Sequence, residues 1–183
     1  RIRAYLTDRF TGKQDWIHFN RSPKTFVGDP KRKYFVFYSS VDWDAALHFP
    51  SSVFKSQFDF VDALIEVFTA LGEQLYIRIH PAEVTGFHPS WLSLEDYLKT
   101  KDLPENIVII SASDTTSSYE LAFGCQAAIV YNTKLGLELP PQGIPVIVGG
   151  DCWIRNKGFS YDVSSVADLQ RFISMGDELN VSA

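Results

Sequence analysis

The chain has 183 residues, 45% of them apolar and 14% aromatic, with a formal net charge of −5. A single domain of this length buries roughly two-thirds or more of its unfolded surface, so a packed core is expected. The acidic balance argues against a nucleic acid polymer as partner, which needs a basic face, but leaves a nucleotide ligand open because local amides and one or two cations suffice. No apolar run approaches the ~20 residues of a membrane span, and the polar, charged stretch Arg1 to Phe10 does not read as a signal peptide, so a cytoplasmic location is expected.

Residues 1–33 are weakly periodic and carry two breaker clusters, around Pro23 and at Gly28-Asp29-Pro30. They read as a linker or edge segment from a preceding domain, and residues 34–183 as the folded unit. Tyr34 to Tyr38 is a continuous apolar run that fits a buried strand. Phe60 to Leu71 has helical spacing closed by Gly72. A second strand, Leu75 to Ile79, stops at His80-Pro81, and a short helix follows over Trp91 to Leu98 with Ser90 as its N-cap. Ile107 to Ile110 is a third strand, Ser118 to Phe123 a helix start, and Ala127 to Tyr131 a fourth strand. A short glycine-bearing helix then carries Glu138, Val146 to Val148 makes a fifth strand, and Val166 to Ile173 a last helix. Strands alternating with helices imply right-handed crossovers. The fold class is therefore α/β: a Rossmann-like sheet of five parallel strands with helices on both faces.

In such a sheet ligands bind beyond the C-terminal strand ends, at the topological switch point. The candidate segments are thus Ser39-Ser40, His80-Pro81, Ser111 to Ser118, Asn132 to Glu138 and Gly149-Gly150. In the turn from the fourth strand into the glycine-bearing helix the amides attract an anion, and Gly136 lets a ligand approach the backbone. Glu138, one turn later, can accept from sugar or ribose hydroxyls. His80 can donate to a phosphate oxygen or a leaving group, or be a structural histidine bonded to a backbone carbonyl. Strand parity puts Tyr76, Arg78 and His80 on one face, and a buried Arg78 needs a partner. Ser117 and Glu120 have the spacing of a capping box, which explains them without a ligand. The hydroxyls of Ser117 and Ser118 and the amides of that helix could also hold part of a nucleotide.

Other chemistries find little support. Asp42-Trp43-Asp44 resembles a metal-chelating triplet, but the fold does not need a metal and none is expected. His18, His48 and His88 lack metal-ligand spacing. Cys125 and Cys152 form no C-x-x-C pair and read as two reduced thiols. No P-loop, G-x-G-x-x-G, G-x-S-x-G or H-E-x-x-H occurs. The single methionine is Met175, so the chain is expected to be a fragment, excised domain or processed product.

Three ordered motifs carry a resemblance that covers roughly residues 34–163. Ile77-Arg78-Ile79-His80-Pro81 resembles the strand ending in His-Pro of bacterial capsule polysaccharide biosynthesis glycosyltransferases. Ser117-Ser118-Tyr119-Glu120-Leu121 resembles the Ser-Tyr-Glu-Leu helix start of related surface-carbohydrate proteins. Tyr131 to Glu138, with Gly143-Ile144-Pro145-Val146 after it, resembles their Ser-Thr-x-Gly-x-Glu … Gly-x-Pro-Val signature. Three positions depart from the pattern: Lys134 replaces a small or apolar residue, Pro140-Pro141 replace helix formers, and Trp153 stands for a tyrosine. Pro140-Pro141 require the helix before them to be short or to begin late.

The resemblance implies a GT-B architecture of two Rossmann-like domains, with this chain as the C-terminal, donor-binding half. It implies a nucleotide-activated sugar as donor, in several members a CMP-linked acidic sugar, without a metal or other cofactor. His80, Thr133 and the amides after it would contact the donor phosphate, and Glu138 its hydroxyls. Ser39, Ser40, Arg78, Ser117, Ser118, Glu120, Lys134 and Gly136 complete the expected binding set; no catalytic residue is assigned. A glycan or glycolipid acceptor and the general base would come from an N-terminal domain. The isolated chain is then expected to be inactive, and the full-length protein could associate peripherally with the inner face of the membrane. Two other readings stay open: a sugar-nucleotide 2-epimerase, and a non-catalytic module of polysaccharide biosynthesis or export.

Overall fold

A computed structural model of the chain describes residues 4–5, 7–8, 26, 32–41, 53–85 and 92–181. Among the described residues six strands form one sheet: β1 (Tyr34–Tyr38), β2 (Gln74–Arg78), β3 (Ile107–Ile110), β4 (Ala127–Val130), β5 (Val146–Val148) and β6 (Tyr161–Asp162). Their order is β3-β2-β1-β4-β5-β6 and every pairing is parallel. The chain therefore winds outward from β1 to one edge, crosses back, and winds out to the other. Its topological switch point lies between β1 and β4.

Both faces are covered, because the inner strands are largely apolar. Phe35, Phe37, Leu75, Ile77 and Ile129 pack on one face under helix α1 (Gln57–Leu71), helix α3 (Leu94–Lys99) and helix α6 (Val166–Met175). Tyr34, Val36, Tyr38, Val130 and Val148 pack on the other, under helix α4 (Ser118–Phe123) and helix α5 (Leu135–Glu138). Phe26 joins this second layer, edge-on to the rings of Tyr34 and Tyr76 at 5.6 and 5.2 Å. Residues 26 and 34–38 thus share a core, although the breaker cluster Gly28-Asp29-Pro30 separates them in sequence.

Helix boundaries follow local capping. Ser56, Ser93, Ser117 and Ser165 each accept from the backbone N–H three residues on, satisfying donors that the first turn leaves open. The cap of α3 is Ser93 rather than Ser90; Ser90 and Trp91 lie outside the described residues. Two elements differ from the sequence expectation. A four-residue helix α2 (Ala82–Thr85) follows His80-Pro81 directly. The sheet has a sixth strand, not five: β6 has no apolar run of its own and forms because Tyr161 and Asp162 pair with Ile147 and Val148 at the open edge of β5. Among the described residues no helix is long and apolar enough to cross a membrane.

Candidate functional site

The last register row across the sheet reads Ile110, Arg78, Tyr38, Val130, Val148, Asp162. Every candidate segment leaves the sheet just beyond that row. The topology thus brings Ser39-Ser40, His80, Ser111, Asn132 and Gly149-Gly150 to one edge.

The exits of β1 and β2 are locked to each other. Ser39 N–H donates to Arg78 C=O at 3.1 Å, and His80 N–H donates to Ser39 Oγ at 2.8 Å. His80 is half-buried, and its Nδ1 accepts from Ala82 N–H at 3.1 Å, at the start of α2. A neutral ring accepting at Nδ1 carries its proton on Nε2. The histidine therefore has a structural bond, made to a backbone amide rather than the carbonyl anticipated from sequence. Ser40 is buried, its backbone groups are bound by the Gln57 side chain, and its Oγ has no hydrogen-bond partner among the described residues.

Arg78 is almost wholly buried, at 1% exposure, and its partners are backbone carbonyls. Its guanidinium donates to Ser111 C=O at 2.5 Å and Asp114 C=O at 3.0 Å. Burial lowers its pKa, partly offset by the nearby Asp114 carboxylate. Its shown work is to fix the loop that leads from β3 into α4. Tyr38 adds to this: its hydroxyl donates to Ser118 C=O at 2.7 Å, and burial holds its pKa well above the usual phenol value.

Ser117 caps α4 as its sequence spacing implies, with Glu120 N–H donating to its Oγ at 3.4 Å. Glu120 does not complete the reciprocal bond of a capping box. Its Oε2 accepts from Phe26 N–H at 3.0 Å, so this exposed carboxylate serves an amide far upstream. Ser118 contributes its carbonyl to Tyr38, and its side chain is half-buried.

After β4, Asn132 is buried, Thr133 half-buried and Lys134 exposed. Thr133 C=O accepts from Gly136 N–H at 3.1 Å to open α5, whose four residues run into a 3-10 turn at Pro140–Gln142. The helix is short, as Pro140-Pro141 require. Gly136 corrects the sequence reading. A Cβ there would stand 2.7 Å from Ile154 Cδ1 and 3.2 Å from Val130 Cγ2, so the close approach it permits is that of Ile154, not of a ligand. Glu138 is only 4% exposed, and Tyr119 Oη donates to its Oε2 at 2.8 Å. That contact joins α5 to α4 and brings Glu138 beside the residue that follows the Ser111 to Ser118 segment. Of the residues involved, Gln57, Tyr38 and Tyr119 were not anticipated; Tyr119 alone had a signal, its place between Ser118 and Glu120.

Burial pushes the Cys125 thiol up to about 12 and raises that of Cys152, so neither is poised as a nucleophile. Asp42, Asp44, His18, His48 and His88 lie outside the described residues. Among the described residues no three His, Cys, Asp or Glu side chains converge to hold a metal. A separate polar cavity of about 390 Å³ opens between α2, α3 and the exit of β3, lined by Glu83, Glu95, Asp96, Ser93, Ser111 and Ser113. Glu95 is already engaged there: its Oε2 accepts from Ser111 Oγ at 2.9 Å and Ala112 N–H at 3.1 Å.

The fold is similar to that of several solved carbohydrate-active proteins. Thermosulfurimonas dismutans KpsC, a beta Kdo 2,4 transferase, superposes with a TM-score of 0.63 at 15% identity, over 91% of this chain and 49% of that one. The beta Kdo 2,7 transferase of the same organism's KpsC gives 0.52 at 19% identity, over 88% and 52%. Methanocaldococcus jannaschii UDP-GlcNAc 2-epimerase gives 0.54 at 16% identity, over 96% and 46%. The chain thus spans about half the length of these proteins, and its fold is the Rossmann-like parallel sheet with helices on both faces that it shares with them. No curated protein matches it by sequence. The family model described as "Capsule polysaccharide biosynthesis protein" matches residues 14–171, most of the chain, so the protein belongs to the capsule polysaccharide biosynthesis family.

Proposed function

We propose that this chain is the donor-binding half of a glycosyltransferase of capsule or surface polysaccharide synthesis, and that it takes a nucleotide-activated sugar at the β1/β4 crevice. One observation carries the reading. The all-parallel order β3-β2-β1-β4-β5-β6 sets Ser39, Ser40 and His80 on one side of the switch point and Thr133 to Glu138 on the other. His80 Nε2–H is assigned to a donor phosphate oxygen, with Thr133 and Lys134 opposite it. The Tyr119–Glu138 pair stands where ribose or sugar hydroxyls would be bound. Such a site stabilises a leaving phosphate with amides and cations and requires no metal.

The matched structures are about twice as long as this chain. A glycan or glycolipid acceptor and the general base are accordingly assigned to a second, N-terminal domain, and the isolated chain to binding without transfer. We place the whole protein in the cytoplasm, at the inner face of the membrane. A CMP-linked donor is the preferred case, since KpsC is named as a Kdo transferase. A second reading, a sugar-nucleotide 2-epimerase, is favoured by the epimerase likeness alone.

Thermal stabilisation by a nucleotide panel tests these readings, because a ligand that binds only the native state raises the melting temperature. Stabilisation by CMP supports the transferase reading. A response to UDP alone leaves transferase and epimerase level. No response to any nucleotide overturns both and leaves a non-catalytic module.

A further inference from the structure

The carboxylate expected to meet the ligand is nearly enclosed: Glu138 is 4% exposed and sits at the end of α5. The group that covers its Oε2 is the hydroxyl of Tyr119, 2.8 Å away, and Tyr119 is the more exposed of the two. Tyr119 belongs to the first turn of α4, and that turn is fixed from two sides. Ser117 caps it, and the carbonyl of Ser118 is held by the hydroxyl of Tyr38, the last residue of β1. The phenol is therefore placed above the β1 end of the sheet by the backbone, and its proton is directed by Glu138. A phenol that donates to a carboxylate has its oxygen enriched as an acceptor, because the bonds of a chain polarise one another.

We propose that Tyr119, not Glu138, makes the contact with the ligand at this position. Its oxygen accepts from a ribose hydroxyl of the nucleotide, and Glu138 is the positioning residue that fixes the phenol's rotor and proton. The inference rests on the donor-binding reading above and deepens it.

Calorimetric titration of CMP, and of its 2′,3′-dideoxy analogue, into the wild type, Tyr119→Phe and Glu138→Gln tests it. Phenylalanine retains the ring that packs on the sheet, and glutamine retains an oxygen that accepts from Tyr119. Tyr119→Phe should weaken CMP binding about tenfold and leave the dideoxy analogue within about twofold, as expected for one lost hydrogen bond. Glu138→Gln should weaken CMP binding by a smaller factor. Unchanged CMP binding in Tyr119→Phe overturns the proposal. An equal loss for both nucleotides also overturns it, since that is a disturbance of the fold. A larger loss in Glu138→Gln than in Tyr119→Phe returns the contact to the carboxylate. A wild type that binds neither nucleotide is a different result: it removes the CMP-linked donor, and with it the ribose contact proposed here.

Discussion

Gln57 binds Ser40 through both of that residue's backbone groups. Ser40 N–H donates to Gln57 Oε1 at 3.0 Å, and Gln57 Nε2 donates back to Ser40 C=O at 2.8 Å. The side-chain amide thereby continues, for one residue, the hydrogen bonding that a neighbouring strand would supply. It holds the exit of β1 at the switch point, and both residues are buried. Replacing it by leucine leaves two buried backbone groups unpaired. Gln57→Leu should cost about 2–6 kcal/mol in a denaturant melt, since each of the two buried orphans costs roughly 1–3 kcal/mol. Gln57→Glu preserves the acceptor and loses the donor, so it should fall between leucine and the wild type.

The His80 ring makes a structural bond and is proposed to make a second, to the donor phosphate, and the two separate in a mutant. Its Nδ1 accepts from Ala82 N–H, which is the work of an N-cap and is worth about 1 kcal/mol. A bond from its other nitrogen to a charged phosphate would be worth on the order of 1.5–3 kcal/mol. His80→Ala should therefore weaken nucleotide binding roughly tenfold to a hundredfold while costing only about 1 kcal/mol of stability. Ile77→Ala, a core truncation, should remove ~2–5 kcal/mol and serves as the contrast. Titration and denaturant melts on both variants check this. A His80→Ala protein that binds CMP normally but unfolds easily makes the histidine purely structural.

The parallel sheet was legible because its inner strands are mostly apolar runs, from Tyr34–Tyr38 to Val146–Val148, and glycines or prolines punctuate them. Strand β6 was not, because a two-residue Tyr-Asp pairing is set by the neighbouring edge and leaves no periodic trace. The candidate segments were legible as positions, since parallel topology alone fixes which strand ends share an edge. Side-chain partners were not. Glu120 looked like the second half of a capping box, yet its carboxylate goes to Phe26, a contact across 94 residues that no local spacing encodes. Gly136 looked like room for a ligand, and the room is filled by Ile154, which comes from the loop after β5. Arg78 announced itself as a buried cation needing a partner, but sequence could not say that the partners would be carbonyls.

Alkaline pH should unfold this protein earlier than its acidic composition suggests. Burial pushes Cys125 from 9.0 up to about 12, and burial likewise raises Tyr34 and Tyr38 above the usual phenol value of 10.0. A raised folded-state pKa means that the native protein holds the proton longer than the unfolded chain. The associated stability is complete below the unfolded value, near pH 9 for the thiol and 10 for the phenols, and is lost as pH rises through the folded values. Arg78 acts in the opposite sense, since burial lowers its pKa. Denaturant midpoints measured from pH 8 to 11 should fall steadily, with a shallower fall in Cys125→Ala. A midpoint that is flat across this range would count against buried thiol and phenol groups.

Two glycines at the same edge differ in how much a methyl group would disturb them. At Gly149 an added Cβ would lie 2.2–2.5 Å from three atoms of the Phe60 ring, which is fully buried in the core beneath α1. The ring is rigid, so the strand end or the helix must move. Gly149→Ala should cost more than the ~1–3 kcal/mol typical of an overpacked core. At Gly136 the nearest obstacle is the Cδ1 methyl of Ile154, the far end of a flexible side chain, at 2.7 Å. Gly136→Ala should cost ~1–3 kcal/mol, less a few tenths regained from the helix propensity of alanine. The obstacle can also be removed. Valine lacks the Cδ1 atom, and Ile154→Val alone should cost about 0.5–1.5 kcal/mol. The double variant Gly136→Ala/Ile154→Val should then be more stable than the sum of its parts predicts, by about 0.5–1 kcal/mol, because the two residues share one contact. Urea melts of the three variants give that coupling directly. Strict additivity would mean that Ile154 does not sit on Gly136, and would return the space above this helix to a ligand.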